Sequence, residues 1–241
     1  ISHDVCLPDL SVIFALDRSG IVGEDGKTHQ GTFDLSYLSL MPNMIVSAPK
    51  DENELQHLLY TALDTGHPMA IRYPRGRGVG IPLDPEFHKL PIGKGEVIKQ
   101  GKDVTILAIG STVMPSLEAA KYLASREIDA SVVNARFAKP LDAELIWDVA
   151  NRTQKIITVE ENVLSGGFGA AVLELLEESD ISDVKVKRLG ISDEFVPQGK
   201  QDSLRSLYHL DAQGIARECV DFLAHVHTKV PGEFDSTVLQ Y

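Results

Sequence analysis

The sequence predicts an α/β protein with two consecutive open, mostly parallel sheets and flanking helices. Apolar, β-branched runs alternate with segments of helical period along most of the chain, the pattern of parallel strands joined by crossover helices. The alternation breaks once, between Gly76 and Gly95, where Gly, Pro and Lys dominate and Pro82, Pro85 and Pro91 leave little periodicity. That break reads as a linker between two sheets. A length of 241 residues allows the division, because domains run to about 100–200 residues and either part is large enough to bury a core.

In chain order, Val12–Leu16 is a buried strand, followed by a Gly-rich loop from Asp17 to Gly31 and a short helix over Phe33–Leu40. Met44–Ala48 is strand-like and stops at Pro49. Asp51 suits the N-cap of the next helix, with Glu52 and Glu54 in the first turn, where acids complement the helix dipole. Leu55, Leu58, Leu59 and Ala62 form the apolar face of that helix, and Met69–Arg72 is a further strand running into Tyr73-Pro74-Arg75-Gly76. Beyond the linker, strands are expected at Gly95–Lys99, Val104–Ala108, Ala130–Asn134, Lys155–Val159 and Val184–Arg188. Helices fall near Thr112–Ser125, Asp142–Ala150 and Phe168–Glu177, and a last one over Asp211–Ala224 has Asp211 at its N-cap. The tail from Thr228 to Tyr241 reads as loose.

Composition excludes several classes of function. With 35 acidic and 23 basic side chains the net charge is -12, which argues against nucleic acid as a partner, since phosphate backbones are bound through clustered Lys and Arg. An anionic ligand must then be held by a few locally placed cations. Two cysteines far apart, Cys6 and Cys219, point to a reducing compartment without a disulfide framework. No apolar stretch approaches the roughly 18–20 residues of a membrane helix, so no membrane partner is expected. Ile1-Ser2-His3-Asp4 has neither the basic nor the apolar region of a signal peptide, and the chain reads as beginning mid-fold.

The most unusual stretch is the loop Asp17–Gly31, which leaves the carboxyl end of a strand, where ligands sit in open α/β sheets. Its glycines allow positive φ and close backbone approach to a ligand. Around them stand Arg18, Asp25 and His29: a cation, a carboxylate and a group that titrates near neutral pH. Gly26-Lys27-Thr28 matches the end of a phosphate-binding P-loop, but the first glycine is displaced, with Ile21 where it should stand, and no clear helix starts at Lys27. Gly167-Phe168-Gly169 hints at a dinucleotide fingerprint, yet lacks the third glycine and has Lys187 where an acidic ribose partner belongs. Gly166, Gly167 and Gly169 instead read as a helix-initiating turn needed for tight packing. His225 and His227 are spaced so that a helix would separate their rings, which makes a metal site there an unfavourable reading. Cys6 has no neighbouring base to activate it as a nucleophile.

As a whole, Asp17-Arg18-Ser19-Gly20-Ile21-Val22-Gly23-Glu24-Asp25-Gly26-Lys27-Thr28-His29-Gln30-Gly31, then Phe33-Asp34, then Arg72-Tyr73-Pro74-Arg75-Gly76, resembles the 1-deoxy-D-xylulose-5-phosphate synthases. These are thiamine-diphosphate enzymes of the transketolase superfamily. Val159-Glu160-Glu161-Asn162, Ser165-Gly166-Gly167-Phe168-Gly169 and Pro197-Gln198-Gly199 resemble the C-terminal domain of that superfamily. The similarity runs from about Val5 to Leu223. It implies that residues 1–80 are the latter part of the central, pyrimidine-binding domain, 81–93 a linker, 94–227 the C-terminal domain and 228–241 a loose tail. The N-terminal domain that binds the cofactor diphosphate through Mg²⁺, and the glutamate that activates the aminopyrimidine, have no counterpart here. The chain is therefore expected to be less than half of its natural product, and no cofactor-binding residue is identified in it.

The implied reaction decarboxylates pyruvate and condenses the two-carbon unit with glyceraldehyde 3-phosphate, the first step of non-mevalonate isoprenoid biosynthesis and a supply for thiamine and pyridoxal. Thiamine diphosphate with Mg²⁺, bound mainly by the N-terminal portion, carries the hard step. The resemblance further implies a homodimer, partnered with its own N-terminal portion, in a bacterial cytoplasm or a plastid. Arg18 and Arg75 match the family's phosphate-binding arginines, and a guanidinium suits that task because it is always charged and grips phosphate oxygens as a fork. His29 is placed to donate to the alkoxide that develops on the aldehyde. Asp25 either accepts from the acceptor hydroxyl or orients His29, and an Asx-turn that shapes the loop is compatible with both. Arg72 reads as pairing with a structural acid, Asp17 and Gln30 as structural, and Glu160 and Glu161 as capping or bridging groups. The competing readings are a transketolase half, the β subunit of a 2-oxo acid dehydrogenase, and a non-catalytic dimerisation or binding module.

Overall fold

The computed structural model describes residues 1–179 and 181–228, without the side chains of 226–228. The tail expected over 228–241 lies, past Thr228, outside the described residues, as does the side chain of His227. The first part contains β1 (Ile13–Leu16), α1 (Asp34–Ser39), β2 (Ile45–Ser47), α2 (Glu52–Ala62) and β3 (Met69–Arg72). After an irregular stretch come β4 (Glu96–Lys99), β5 (Val104–Ala108), α3 (Val113–Ala124), β6 (Ala130–Asn134), β7 (Phe137–Lys139) and α4 (Ala143–Thr153). They are followed by β8 (Lys155–Val163), α5 (Phe168–Glu177), β9 (Lys185–Ile191), α6 (Gln201–Leu207) and α7 (Ala212–Thr228).

Two sheets form, as the sequence predicts. The first has the order β1-β3-β2-β7 and the second β4-β6-β5-β8-β9. All pairings are parallel except β2 with β7 and β4 with β6. The two exceptions sit at sheet edges, where an antiparallel strand commonly joins a parallel sheet.

Strand β7 is the first departure from the sequence reading. Phe137-Ala138-Lys139 is too short to show a period, yet it lies in the second half of the chain and adds to the first sheet, opposite Val46 and Ser47. Phe137 is fully buried among Ile45, Leu58, Met69 and Ile71 of the first half. A second cluster mixes Leu35, Leu38, Val46 and Ala70 with Leu107, Ile109, Val133, Phe168 and Val172. The two sheets thus share hydrophobic packing across the linker, and the apolar area buried between them stabilises both.

The irregular stretch is strapped along α2. The Glu52 carboxylate accepts from the N–H groups of Val79 (2.9 Å), Gly80 (2.6 Å) and Ile81 (3.1 Å). Thr61 Oγ1 accepts from Leu90 N–H at 2.8 Å. This corrects the expected face of α2: Glu54, His57, Leu58, Thr61 and Ala62 are buried, while Leu59 is exposed. Polar residues are buried there because each finds partners. Glu54, for example, accepts from Lys50 N–H (2.8 Å), Asn134 Nδ2 (2.9 Å) and Arg136 Nε (2.7 Å). Burial pushes the Glu54 carboxyl up, but Lys50 and Arg136 outweigh it and hold the group below its usual range.

Strand β8 runs to Val163 rather than stopping at Val159, so Glu160, Glu161 and Asn162 lie inside the sheet and are buried. Helix α6, seven residues long and starting just after the Pro197-Gln198-Gly199 turn, is a further element without a sequence prediction. Its shortness hides its period.

Candidate active site

Asp17–Gly31 leaves the carboxyl end of β1 and folds back on itself. Gly20 N–H donates to Gly31 O (2.6 Å) and Gly31 N–H to Gly20 O (2.9 Å), closing the neck of the loop. Both ends require glycine. Gly20 has φ +71°, and a Cβ there would stand 2.5 Å from the Glu161 carboxylate. At Gly31 a Cβ would collide with the Arg18 carbonyl. Inside the neck, Gln30 Oε1 accepts from Val22 N–H (2.6 Å) and Gly23 N–H (3.3 Å), in keeping with a structural Gln30. Ile21 is fully buried in the core of the second sheet, beside Val104, Val159 and Leu204. The loop is therefore pinned by both halves of the chain. Lys27–His29 forms one helical turn, not the long helix a P-loop requires.

Arg18, Asp25 and Arg75 meet at the surface of this loop. Asp25 Oδ2 bonds Arg75 Nη1 and lies 3.3 Å from Arg18 Nη1. The two guanidiniums, each about half exposed, converge on the one carboxylate. The bond from Arg75 is the main cause that holds the Asp25 carboxyl below its usual range, with Arg18 and His29 adding to it. Asp25 is thus ionised, and the trio carries one net positive charge open to solvent. His29 is exposed on the same loop, its Nδ1 3.2 Å from Thr28 Oγ1. The hydrogen bonds of Asp25 go to arginines, so its expected service as the group that orients His29 is not what the structure holds.

Arg72 faces inward. Its side chain is 3% exposed; Nη2 donates to Gly31 O (2.9 Å) and Glu161 O (3.2 Å), and Nε lies 3.6 Å from Asp34 Oδ2. It ties the loop neck to β8 and α1, which fits the structural-acid reading. Burial, against the pull of Arg72, raises the Asp34 carboxyl above its usual range.

Glu160 and Glu161 cap and bridge. Glu160 accepts from Phe168 N–H (2.7 Å) and Gly169 N–H (2.8 Å) at the start of α5. A Cβ at Gly167 would run into the Glu160 carboxylate, so the Gly-rich turn serves close packing. Glu161 accepts from Ser111 Oγ (2.6 Å) and Arg205 Nε (2.8 Å), joining β8 to α6.

Among the described residues, His57, Asp84 and His88 bring potential metal ligands together. His57 Nδ1 accepts from His88 N–H at 3.3 Å, so the ring proton sits on Nε2 and is given to Asp84 at 2.8 Å. Both ring nitrogens are spent on fastening the irregular stretch to α2. The sequence reading omits Gln201 and Arg205; only Pro197-Gln198-Gly199 signals that segment.

Residues 93–215 match the family described as transketolase, C-terminal domain, and residues 1–78 the transketolase pyrimidine binding domain. The chain is 59% identical over 222 residues to a protein of Geobacter sulfurreducens named 1-deoxy-D-xylulose-5-phosphate synthase 1, covering 92% of this chain and 35% of that one. A protein of Syntrophus aciditrophicus named 1-deoxy-D-xylulose-5-phosphate synthase is 59% identical over 216 residues, 90% of this chain and 33% of its own. The chain thus spans about a third of the length of these curated relatives. Among solved structures, "Split gene transketolase, inactive beta4 tetramer" is 32% identical with a TM-score of 0.83, covering 93% of this chain and 71% of that one. The higher identity to the synthases favours them over the transketolases. Among the described residues no helix is long and apolar enough to cross a membrane.

Proposed function

The chain belongs to the transketolase family, on the branch of the 1-deoxy-D-xylulose-5-phosphate synthases whose C-terminal third it matches, and from that premise we propose that it holds the phosphorylated aldehyde in such an enzyme. The reaction is the decarboxylative condensation of pyruvate with glyceraldehyde 3-phosphate. The observation that carries this reading is the convergence of Arg18 and Arg75 on Asp25 at the mouth of the Gly-rich loop. Two exposed guanidiniums held side by side present forked donors to a phosphate dianion. Asp25 keeps them together, and the net positive charge that remains attracts the anion.

His29, on the same loop, donates a proton to the oxygen of the aldehyde as the new carbon–carbon bond forms. Its exposure lets it exchange that proton with solvent. Arg72, Gln30 and the glycine neck hold the loop in shape and do not touch substrate.

Thiamine diphosphate with Mg²⁺ is the cofactor of this reading. The described residues do not fit its metal-bound diphosphate, because the one His/Asp cluster among them already commits both nitrogens of His57. That task falls to the N-terminal portion of the enzyme. A homodimer in the cytoplasm completes the reading.

The test is an assay of the full-length enzyme with pyruvate and glyceraldehyde 3-phosphate. Product from this pair, and none from ketose donors, supports the synthase; the reverse sinks it. Arg75→Ala is expected to raise KM for the phosphorylated acceptor about tenfold or more while leaving that for pyruvate near its original value, as the loss of a charged hydrogen bond worth about 1.5–3 kcal/mol requires. Equal rises for both substrates would make Arg75 structural.

A further inference from the structure

We propose that Gln201, at the start of α6, is a positioning residue that sets the distance between the two halves of the acceptor site. The proposal rests on the functional reading above. The catalytic loop and the Arg72–Gly76 segment leave the ends of the paired strands β1 and β3, where Ser19 N–H donates to Tyr73 O (3.1 Å) and Arg72 Nη2 to Gly31 O (2.9 Å); farther out, at Arg75, the loop meets the segment through the Asp25–Arg75 ion pair at the surface. Such a pair is weak and does not by itself hold the backbone at Arg75 at a fixed distance from the loop.

Gln201 supplies the tie from behind. Its Nε2 donates to Ile21 O at 2.6 Å and to Arg75 O at 3.4 Å, so one amide group bonds the backbone of both segments. The two N–H bonds of a primary amide allow this. Neighbouring contacts restrict where Gln201 stands. Gln198 Nε2 donates to Glu24 O (2.8 Å), Gly199 N–H reaches Gly23 O (3.4 Å), and a Cβ on Gly23 would lie 3.1 Å from Gln201 N. Four residues on, Arg205 anchors α6 to the buried Glu161. The second sheet thereby fixes α6, α6 fixes Gln201, and Gln201 fixes the spacing of Arg75 relative to Arg18, Asp25 and His29.

The experiment is steady-state kinetics of the full-length enzyme carrying Gln201→Glu or Gln201→Ala, with glyceraldehyde 3-phosphate and with unphosphorylated glyceraldehyde as acceptors. Gln201→Glu keeps the shape but, ionised, turns the double donor into an acceptor facing two carbonyls. Both variants are expected to raise KM for the phosphorylated acceptor about tenfold, with KM for pyruvate and for the unphosphorylated aldehyde within about twofold of wild type. A packing role would instead leave Gln201→Glu like wild type, or would lower the yield of folded enzyme without the split between acceptors; either result overturns the proposal. Wild-type enzyme that forms product while both variants keep its KM values overturns the positioning role alone. Wild-type enzyme that forms no product overturns the functional reading, and this proposal with it.

Discussion

Asp25 and Arg75 are 50 residues apart in sequence and bonded in the structure, and the chemistry of the site follows from that closure. The carboxylate neutralises one of two guanidiniums, which lets them approach each other without a ligand; a phosphate dianion can then take up donors that are already converged. The role proposed for His29 is different, the donation of a proton to the aldehyde oxygen. His29→Ala in the full-length enzyme is expected to lower turnover about 10²–10⁴-fold, the usual worth of a positioned general acid, with cofactor binding retained. Single-turnover rates together with a cofactor titration would check it, and turnover equal to wild type would remove His29 from the chemistry. Arg72 shows the contrasting fate of an arginine. Lying four residues before Gly76 in the same motif, it is buried and spends its donors on backbone carbonyls.

At the scale of elements, β8 and α5 are joined through Glu160, whose carboxylate receives the first N–H groups of the helix. Burial pushes the Glu160 carboxyl up to about 7, against those two bonds and the nearby Arg72 and Arg188. Because the folded state favours the protonated form, this group's contribution to stability is whole below its usual value of 4.5 and is lost as pH rises through about 7. A shift of that size corresponds to on the order of 3 kcal/mol. Glu160→Gln is therefore expected to flatten the fall in stability between these pH values, read by urea unfolding at several pH points. An unchanged pH slope would show that another group titrates there. The α2 helix illustrates a related point: its buried Glu54, His57 and Thr61 are tolerated because Arg136, Asp84 and Leu90 N–H bond to them.

At the scale of the whole molecule, strand β7 stitches the sheets together, with the Phe137 ring inside the first sheet's core. Phe137→Ala is expected to cost about 3–5 kcal/mol by opening a cavity. It should lower the unfolding midpoint of both sheets together, because their packing is shared. Near-UV and far-UV circular dichroism would check this, and separate transitions would show that the sheets fold independently. The α/β class, every described strand except β7, the loop that carries Arg18, Asp25 and His29, and the second arginine at Arg75 are legible in the sequence. Those features are written in local periodicity and in side-chain chemistry at close spacing. Tertiary contacts bring β7 into the first sheet, bury Glu160 and Glu161 within a strand, bond Asp25 to Arg18 and Arg75, and let Gln201 reach the backbones of Ile21 and Arg75. Each of these depends on partners brought together from distant parts of the chain, and a polar residue does not reveal in its own neighbourhood whether water or a remote donor will satisfy it.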